Sequence, residues 1–440
     1  MRKWLISPAC SLCIFAYVFG LTLPLQASSK KAAPSDHPTV RATLQPNLTI
    51  PAEPLGFSSP GQFYLGMRNS LASLDFLDEN RLLFTFRVPG LLHRNGSNED
   101  SEGQRQIRAI VIRLPEGTIE SENVWTLHDR AHYLYMLDHG QFLLRDGNSL
   151  LLGDASLQLK PFLRFPGPVL WVEVDPTRQY LVVGSSEPPN QKHQAGDVDS
   201  PASAAAHVDG EVKHGFEDPD MVLRILRRES GKVMLVSHVN SAVHLPINAE
   251  GYLETLRSKG SAWSLNFNHF SGGSTIIGSV DSVCSPFLDF VSPAEFLVTA
   301  CGNTGDPALV AMSMSGRHLW QAPSVGPAVW PLFVINANGT RIARESLLAD
   351  HAVNASAPLG TDDIKGQDVQ VIDAATGKVA LRAAASPILD AGGNVAISPS
   401  GARVAILMES NLQIFDLPVP PPVPGNPAPA NPAASTQAIR

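Results

Sequence analysis

A chain of 440 residues, 44% of them hydrophobic and 17% charged, has the apolar content of a large globular core and is neither fibrous nor wholly disordered. Its formal net charge is −8, and removal of residues 1–27, argued next, takes away Arg2 and Lys3 and leaves 31 Lys+Arg against 41 Asp+Glu, a net of −10. Nucleic acid and anionic membrane surfaces need a basic face, so both are excluded as expected partners.

Arg2 and Lys3 are followed by an apolar run from Trp4 to Leu25 that carries no charge. Pro8, Gly20 and Pro24 interrupt that run, and Leu25-Gln26-Ala27 has the small-residue pattern at which a signal peptidase cuts. Residues 1–27 read as a cleaved secretory signal peptide, which leaves no stable membrane span and places the protein in the periplasm or the medium. Residues 28–45 are polar and contain proline, and read as a disordered leader.

From residue 46 to 417 one pattern recurs, in which an apolar strand, a turn of Asp, Asn, Ser, Pro or Gly, and a second apolar strand follow one another. Copies lie at Leu74–Phe86, Tyr135–Arg145, Leu170–Val183, Leu332–Ala343 and Asn394–Leu407. Proline fixes φ at the first corner, glycine accepts positive φ, and short polar side chains cap the backbone. A weaker copy is expected at Trp263–Ile277, with Gly272 and Gly273 in the turn. A further hairpin runs from Cys284 to Cys301 with its turn at Val291–Ala294, and the expected register sets Phe290 opposite Glu295 and Cys284 opposite Cys301. Facing Cβ atoms come close enough for a bridge, and an oxidising compartment favours it, so a Cys284–Cys301 disulfide is expected.

A repeat of roughly 50 residues built from such hairpins predicts an all-β chain, a β-propeller of seven four-stranded blades. The alternative is a pair of β-sandwich domains. Two polar stretches, about 94–104 and 187–220, are expected as loop insertions, and residues 418–440 form a Pro/Ala-rich disordered tail.

Asp175-Pro176 with Leu181-Val-Val, and Ser398-Pro-Ser-Gly401 with Val404, resemble the hairpins of WD40-like and YVTN-type propellers of bacterial secreted proteins. Ile372-Asp-Ala-Ala-Thr-Gly-Lys-Val379 is similar to the quinoprotein-like repeat, as is Ser315-Gly-Arg-His-Leu-Trp320 more distantly. The resemblance covers most of residues 60–417 and implies a fold without a specific activity. Quinone enzymes of this kind carry adjacent cysteines at the cofactor. This chain has none, so no cofactor is expected.

No Gly-x-Ser-x-Gly elbow, His-Glu-x-x-His, phosphate-binding loop or EF-hand is present, so no catalytic, cofactor or metal residue is assigned. The densest polar cluster is His128, Asp129, Arg130 and His132, followed by Asp138 and His139; the two histidines four apart could share a face and hold a metal or serve as a base. As a loop it would be a plain polar turn. His193, His207 and His214 sit among acids in the second insertion, and Arg224, Arg227 and Arg228 could grip an anion. Trp125, Trp171, Trp263, Trp320 and Trp330 are spread one to a segment, the distribution of packing between blades. The expected function is an exported, monomeric module that binds a protein or envelope component. The alternative is a propeller-based hydrolase, lyase or quinoprotein-like oxidoreductase with its site at the channel mouth.

Overall fold

Strands β1 (Leu48–Pro51) and β2 (Phe63–Tyr64) precede seven antiparallel sheets. The first blade is β3 (Ala72–Asp78), β4 (Arg81–Arg87), β5 (Arg105–Arg113) and β6 (Thr118–Leu127). The second is β7 (Leu134–Met136), β8 (Phe142–Asp146), β9 (Ser149–Gly153) and β10 (Lys160–Arg164), and the third is β11 (Val169–Val174), β12 (Tyr180–Glu187), β13 (Asp220–Arg227) and β14 (Lys232–Val239). The fourth has β15 (Gly251–Arg257), β16 (Ala262–His269) and β17 (Ser274–Asp281). The fifth is β18 (Phe287–Ser292), β19 (Glu295–Cys301), β20 (Pro307–Ser313) and β21 (His318–Ala322). The sixth is β22 (Leu332–Ile335), β23 (Arg341–Ala349), β24 (Ile364–Asp373) and β25 (Val379–Ala384). After β26 (Ile388–Leu389), which pairs parallel with β2, the seventh blade is β27 (Val395–Ile397), β28 (Arg403–Met408), β29 (Asn411–Asp416) and the N-terminal β1. The computed structural model describes residues 42–60, 63–64, 71–88, 104–128, 132–187, 220–239, 244–302, 307–322, 331–351, 363–389 and 391–420. Residues 1–41, most of both insertions and the tail from 421 onward lie outside them.

The chain is a seven-bladed β-propeller, and the two-sandwich alternative is set aside. Blade cores lie between neighbouring sheets. Leu83, Val111 and Trp125 of the first blade pack with Phe142 and Leu144 of the second. Leu297 and Trp320 of the fifth pack with Ile342 and Ile372 of the sixth. Ile50 on β1 joins Leu407 and Leu412 to Phe84 of the first blade, so a strand from the start of the chain closes the ring. No helix among the described residues is long and apolar enough to cross a membrane.

Six of the seven blades open with the same device, in which a short polar side chain ends the first strand and caps the turn into the second; in the second blade the turn is closed by the backbone bond from Gln141 N to Asp138 O at 3.1 Å. Asp175 accepts from the backbone N–H groups of Thr177 and Tyr180 at 2.9 and 2.7 Å, and Asn336 accepts from Thr340 and Arg341 at 2.8 Å each. Ser398 accepts from Arg403 at 3.1 Å, Ser292 from Ala294 at 3.3 Å and Asp78 from Asn80 at 2.8 Å. The fourth-blade copy corrects the expected seventh hairpin. The Gly272–Gly273 turn does join two strands, β16 and β17, but these are the later strands of the blade. The equivalent of the other six is Asn248-Ala-Glu-Gly251, where Asn248 accepts from Glu250 and Gly251 at 2.9 and 3.1 Å. A single bridge, Ile247 to Tyr252, is all that is left of the first strand there, which hid the repeat from a search for alternating strands.

Cys284 and Cys301 are joined, with Cα atoms 5.6 Å apart. The register differs by one residue from that expected, since Phe290 faces Phe296 and Ser292 faces Glu295 across a bulge. Cys284 precedes β18 rather than facing Cys301 within the ladder. The bridge forms because Ser282 and Val283 bend back, Ser282 Oγ accepting from Cys301 N at 2.9 Å and Val283 N donating to Cys301 O at 3.2 Å.

Candidate functional site

Antiparallel order sends the connections to two ends of the disc. Links between first and second strands, and between third and fourth, leave at one end; links between second and third strands, and from blade to blade, leave at the other. At the first end the capped turns lock to one another. Asn336 Nδ2 donates to Pro399 O at 2.8 Å, Ser400 donates through N and Oγ to the Glu79 carboxylate at 2.5 and 2.8 Å, and Arg403 Nη1 donates to Glu79 O at 2.8 Å. Arg228 pairs with Asp138 at 2.7 Å. Gly339, at φ +63°, sits where a Cβ would lie 2.4 Å from Val291 O, so no other residue fits without movement of the neighbouring turn.

The opposite end carries the long connections, 88–104, 188–219, 302–306 and 350–363. The base of the longest is braced by a buried Glu187, which accepts from Arg224 Nη1 at 2.5 Å and Ser185 Oγ at 3.0 Å. Exposed Asp350 and His351 gather with the half-buried Asp363 at the base of another, with Lys365 Nζ 3.2 Å from Asp350.

Three buried polar clusters interrupt apolar strands, two on first strands of the blades at the hub and one on the second strand of the sixth blade. His244 bridges three blades. Its Nδ1 donates to Glu173 Oε1 at 2.9 Å and its Nε2 to Leu288 O at 2.6 Å, with Asp289 Oδ1 3.2 Å away. Its ring stacks on Phe287 at 4.2 Å and 8°. Burial by itself would lower the pKa of His244, but Glu173 and Asp289 overcome it and hold the imidazole well above the ordinary histidine value. With both nitrogens donating, the ring is an imidazolium latch with no free lone pair for base catalysis. Asp75 on β3 accepts from Ser73 Oγ at 2.6 Å, and burial pushes its carboxyl up to about 7. Glu345 on β23 has a single amide partner, Gln367 Nε2 at 2.9 Å, and burial pushes it up to about 8. Gln367 and Asn394 complete that network, Asn394 Nδ2 donating to Gln367 Oε1 at 2.8 Å and to Pro387 O at 3.1 Å.

Among the described residues, those singled out in the sequence do not come together as one centre. His128 is exposed and turned to Asp146, which accepts from its N–H at 2.7 Å and lies 3.0 Å from its Nδ1. His132 is half-buried against Tyr135, with its pKa lowered to about 4 by burial and then by Arg145, so it is neutral. Asp138 stands at the opposite end of β7, paired with Arg228, so it joins neither histidine. Asp129 and Arg130 lie outside the described residues, as do His193, His207, His214 and Trp330. The three arginines part company: Arg224 holds Glu187, Arg228 holds Asp138, and Arg227 lies over the Tyr180 ring at 5.8 Å. Trp125 and Trp320 are buried between blades, as their spacing suggests, their Nε1 groups donating to Leu157 O and Ala374 O across the seams. Trp263 Nε1 donates to Ser282 O.

Asp75, Glu173, His244, Asp289 and Glu345 belong to no recognisable motif because the partners that meet around His244 and Glu345 come from distant segments of the chain. One signal was present. Aligning the copies on their turn caps puts a carboxylate two or three residues ahead of the cap, inside an otherwise apolar strand, in Leu74-Asp75-Phe76, Val172-Glu173-Val174 and Leu288-Asp289-Phe290.

No protein-family model matches the chain, and no curated protein matches it. Similar solved structures include an acylaminoacyl peptidase of Pyrococcus horikoshii, with TM-score 0.44 and 9% identity over 76% of this chain and 49% of that one. This chain thus spans about half of that peptidase. The WD40 domain of Toxoplasma gondii coronin matches at TM-score 0.40 and 10% identity, over 87% of this chain and 89% of the other. The β-propeller domain of the Trilobed protease from Pyrococcus furiosus matches at 0.42 and 9%, over 79% and 94%. The fold rests on the chain's own strand order rather than on these likenesses. By that order, seven antiparallel blades closed by an N-terminal strand, the chain is a seven-bladed β-propeller.

Proposed function

We propose that the protein is an exported binding module that presents the long-connection end of its propeller to another protein or a component of the cell envelope. The observation that carries this reading is the asymmetry of the two ends. Tight capped turns lock one end, while the strands that bound connections 88–104, 188–219 and 350–363 all end at the other, the arrangement in which a rigid scaffold carries binding segments. A signal peptide at residues 1–27 and the Cys284–Cys301 bridge support an oxidising location. The catalytic alternative gains nothing from the hub, where the one histidine that meets two carboxylates has both nitrogens committed.

The test is a pull-down from envelope extract with two forms of the protein, wild type and one in which residues 191–216 are replaced by a short Gly/Ser linker. A partner retained by the wild type and lost from the shortened form is expected. A partner held equally by both would refute the proposed face. N-terminal sequencing of the exported protein is expected to begin at Ser28.

A further inference from the structure

Six blades complete their hub side with a paired first strand, and the fourth does not. There β15 is the innermost strand of the sheet. Asn248 N donates to Gly251 O and Leu253 N to Pro246 O, each at 2.9 Å, so the odd-numbered residues of β15 turn their backbone groups to the hub. The pairing stops at that rung. Pro246 has no N–H to return to Leu253 O. At the next rung His244 would face Thr255, but Leu245 N donates to the Glu173 carboxylate at 3.1 Å and His244 Nε2 donates to Leu288 O at 2.6 Å. Among the described residues nothing pairs with the hub-side N–H and C=O of Thr255 and Arg257. Val239 ends the rim strand of the third blade, and His244 lies at the hub five residues on. Five residues reach at most about 17 Å, and the three strand spacings from β14 in to β11 already take about 14 Å, so the approach to His244 has no length to double back along β15.

The seam beside this edge holds further unmet donors. Trp171 Nε1 on β11 is buried without an acceptor, in the apolar cluster that joins the third blade to Tyr252 of the fourth. Asn266 on β16 is 4% exposed and has no acceptor for its Nδ2. It pairs with Glu254, which shares a strand face with Tyr252, so Asn266 looks onto the same seam. Leu256, next to Thr255, is 40% exposed, and β15 ends beside it at the long-connection end.

We propose that this end receives an extended segment of the partner, which pairs with β15 as the missing first strand of the fourth blade; this rests on the binding-module reading above. Backbone groups that alternate at strand spacing are met by another extended backbone. A second copy of the disc cannot supply it, because β15 lies inside β16 and β17 of its own sheet. The chain's own ends are held elsewhere, Thr43 at Arg382 on the rim of the sixth blade and Pro418 O by Arg341 Nη2 at 2.6 Å at the capped-turn end. The first strands Leu74-Asp-Phe76, Val172-Glu-Val174 and Leu288-Asp-Phe290 show what suits a hub position, an acid flanked by apolar residues.

The probe is a fluorescein-labelled peptide with the sequence of residues 287–292, Phe-Leu-Asp-Phe-Val-Ser, titrated with the mature protein and read by anisotropy. Saturable binding is expected, and the scrambled peptide Phe-Phe-Val-Leu-Ser-Asp is expected not to bind. Thr255→Pro removes a hub-side N–H and no bond of the β15–β16 ladder. It is expected to abolish binding while keeping the wild-type circular dichroism spectrum. Trp171→Phe removes the indole donor and is expected to weaken binding about threefold to tenfold. No saturable binding by the wild type, equal binding of the scrambled peptide, or binding that both folded variants keep unchanged would overturn the proposal. A pull-down partner that Thr255→Pro still holds, but that the form shortened at residues 191–216 loses, would overturn the edge pairing and leave the loop face standing.

Discussion

Glu345 is 3% exposed, and its only described side-chain partner is the amide of Gln367. An ionised carboxylate in that site lacks a countercharge, which is why burial pushes it up to about 8. A group whose pKa rises on folding stabilises the fold fully below its unfolded value, near 4.5, and that contribution is lost as pH rises towards about 8. The slope is about 1.4 kcal/mol per pH unit while the folded form stays protonated. Glu345→Gln keeps a group that can accept from Gln367 and removes the ionisation. It is therefore expected to flatten the fall in stability between pH 5 and pH 8, as read from urea midpoints at each pH. Asp75, pushed up to about 7, acts in the same direction. His244 does so too, since its ion pairs are intact below the ordinary histidine value and weaken as pH rises through its raised one. His244→Gln removes the cation between Glu173 and Asp289 and is expected to cost about 2 kcal/mol at pH 6, allowing for its partial exposure, and less under alkaline conditions.

The turn into the second strand is the element that repeats. Asn336 shows what it does, because its side chain caps its own turn through two backbone N–H groups and reaches Pro399 O of the next blade. Asn336→Ala leaves those two N–H groups without their acceptor and unties the sixth turn from the seventh. A loss of about 2–3 kcal/mol is expected in urea melts. Asn336→Asp keeps the acceptor but loses the donor, so it should fall between the two. The cysteine hairpin is an element with a different logic. Its bridge closes a separation of 17 residues, and the chain-entropy account gives about 3 kcal/mol for a loop of that size. The Cys284→Ser/Cys301→Ser double variant is expected to lose that amount. Reductant should then destabilise the wild type and leave the variant unchanged.

At the scale of the whole molecule the ring is closed by the chain's two ends. β1 supplies the last strand of the seventh blade, and Ile50 packs with Leu407, Leu412 and Phe84. Ser400 and Arg403 tie the seventh blade to Glu79 of the first. Removing residues 28–51 exposes the edge of β29 and opens the seam between the last blade and the first. The shortened protein is expected to show a larger hydrodynamic radius and a broader thermal transition than the parent. Both quantities can be read from one sample by light scattering and calorimetry.

The sequence by itself determined the repeat. Alternating apolar residues on either side of Asp-Pro, Ser-Pro-Ser-Gly or Asn-Ala-Asn-Gly turns specify buried-face strands and tight turns through local chemistry alone. Six of the seven first hairpins were legible for that reason, as was the pairing of Cys284 with Cys301. The fourth blade was not, because its first strand is reduced to one bridge at Ile247 and gives no alternation to read. The exact ladder register was also lost, since the bulge between Phe290 and Ser292 has no signature in residue type. Only the tertiary structure decided which polar residues meet. His128 and His132 are neighbours in the chain yet take different partners, whereas Glu173, His244 and Asp289 come from three different blades. Short-range pattern records what each strand buries, and contact across a seam depends on how the ring closes.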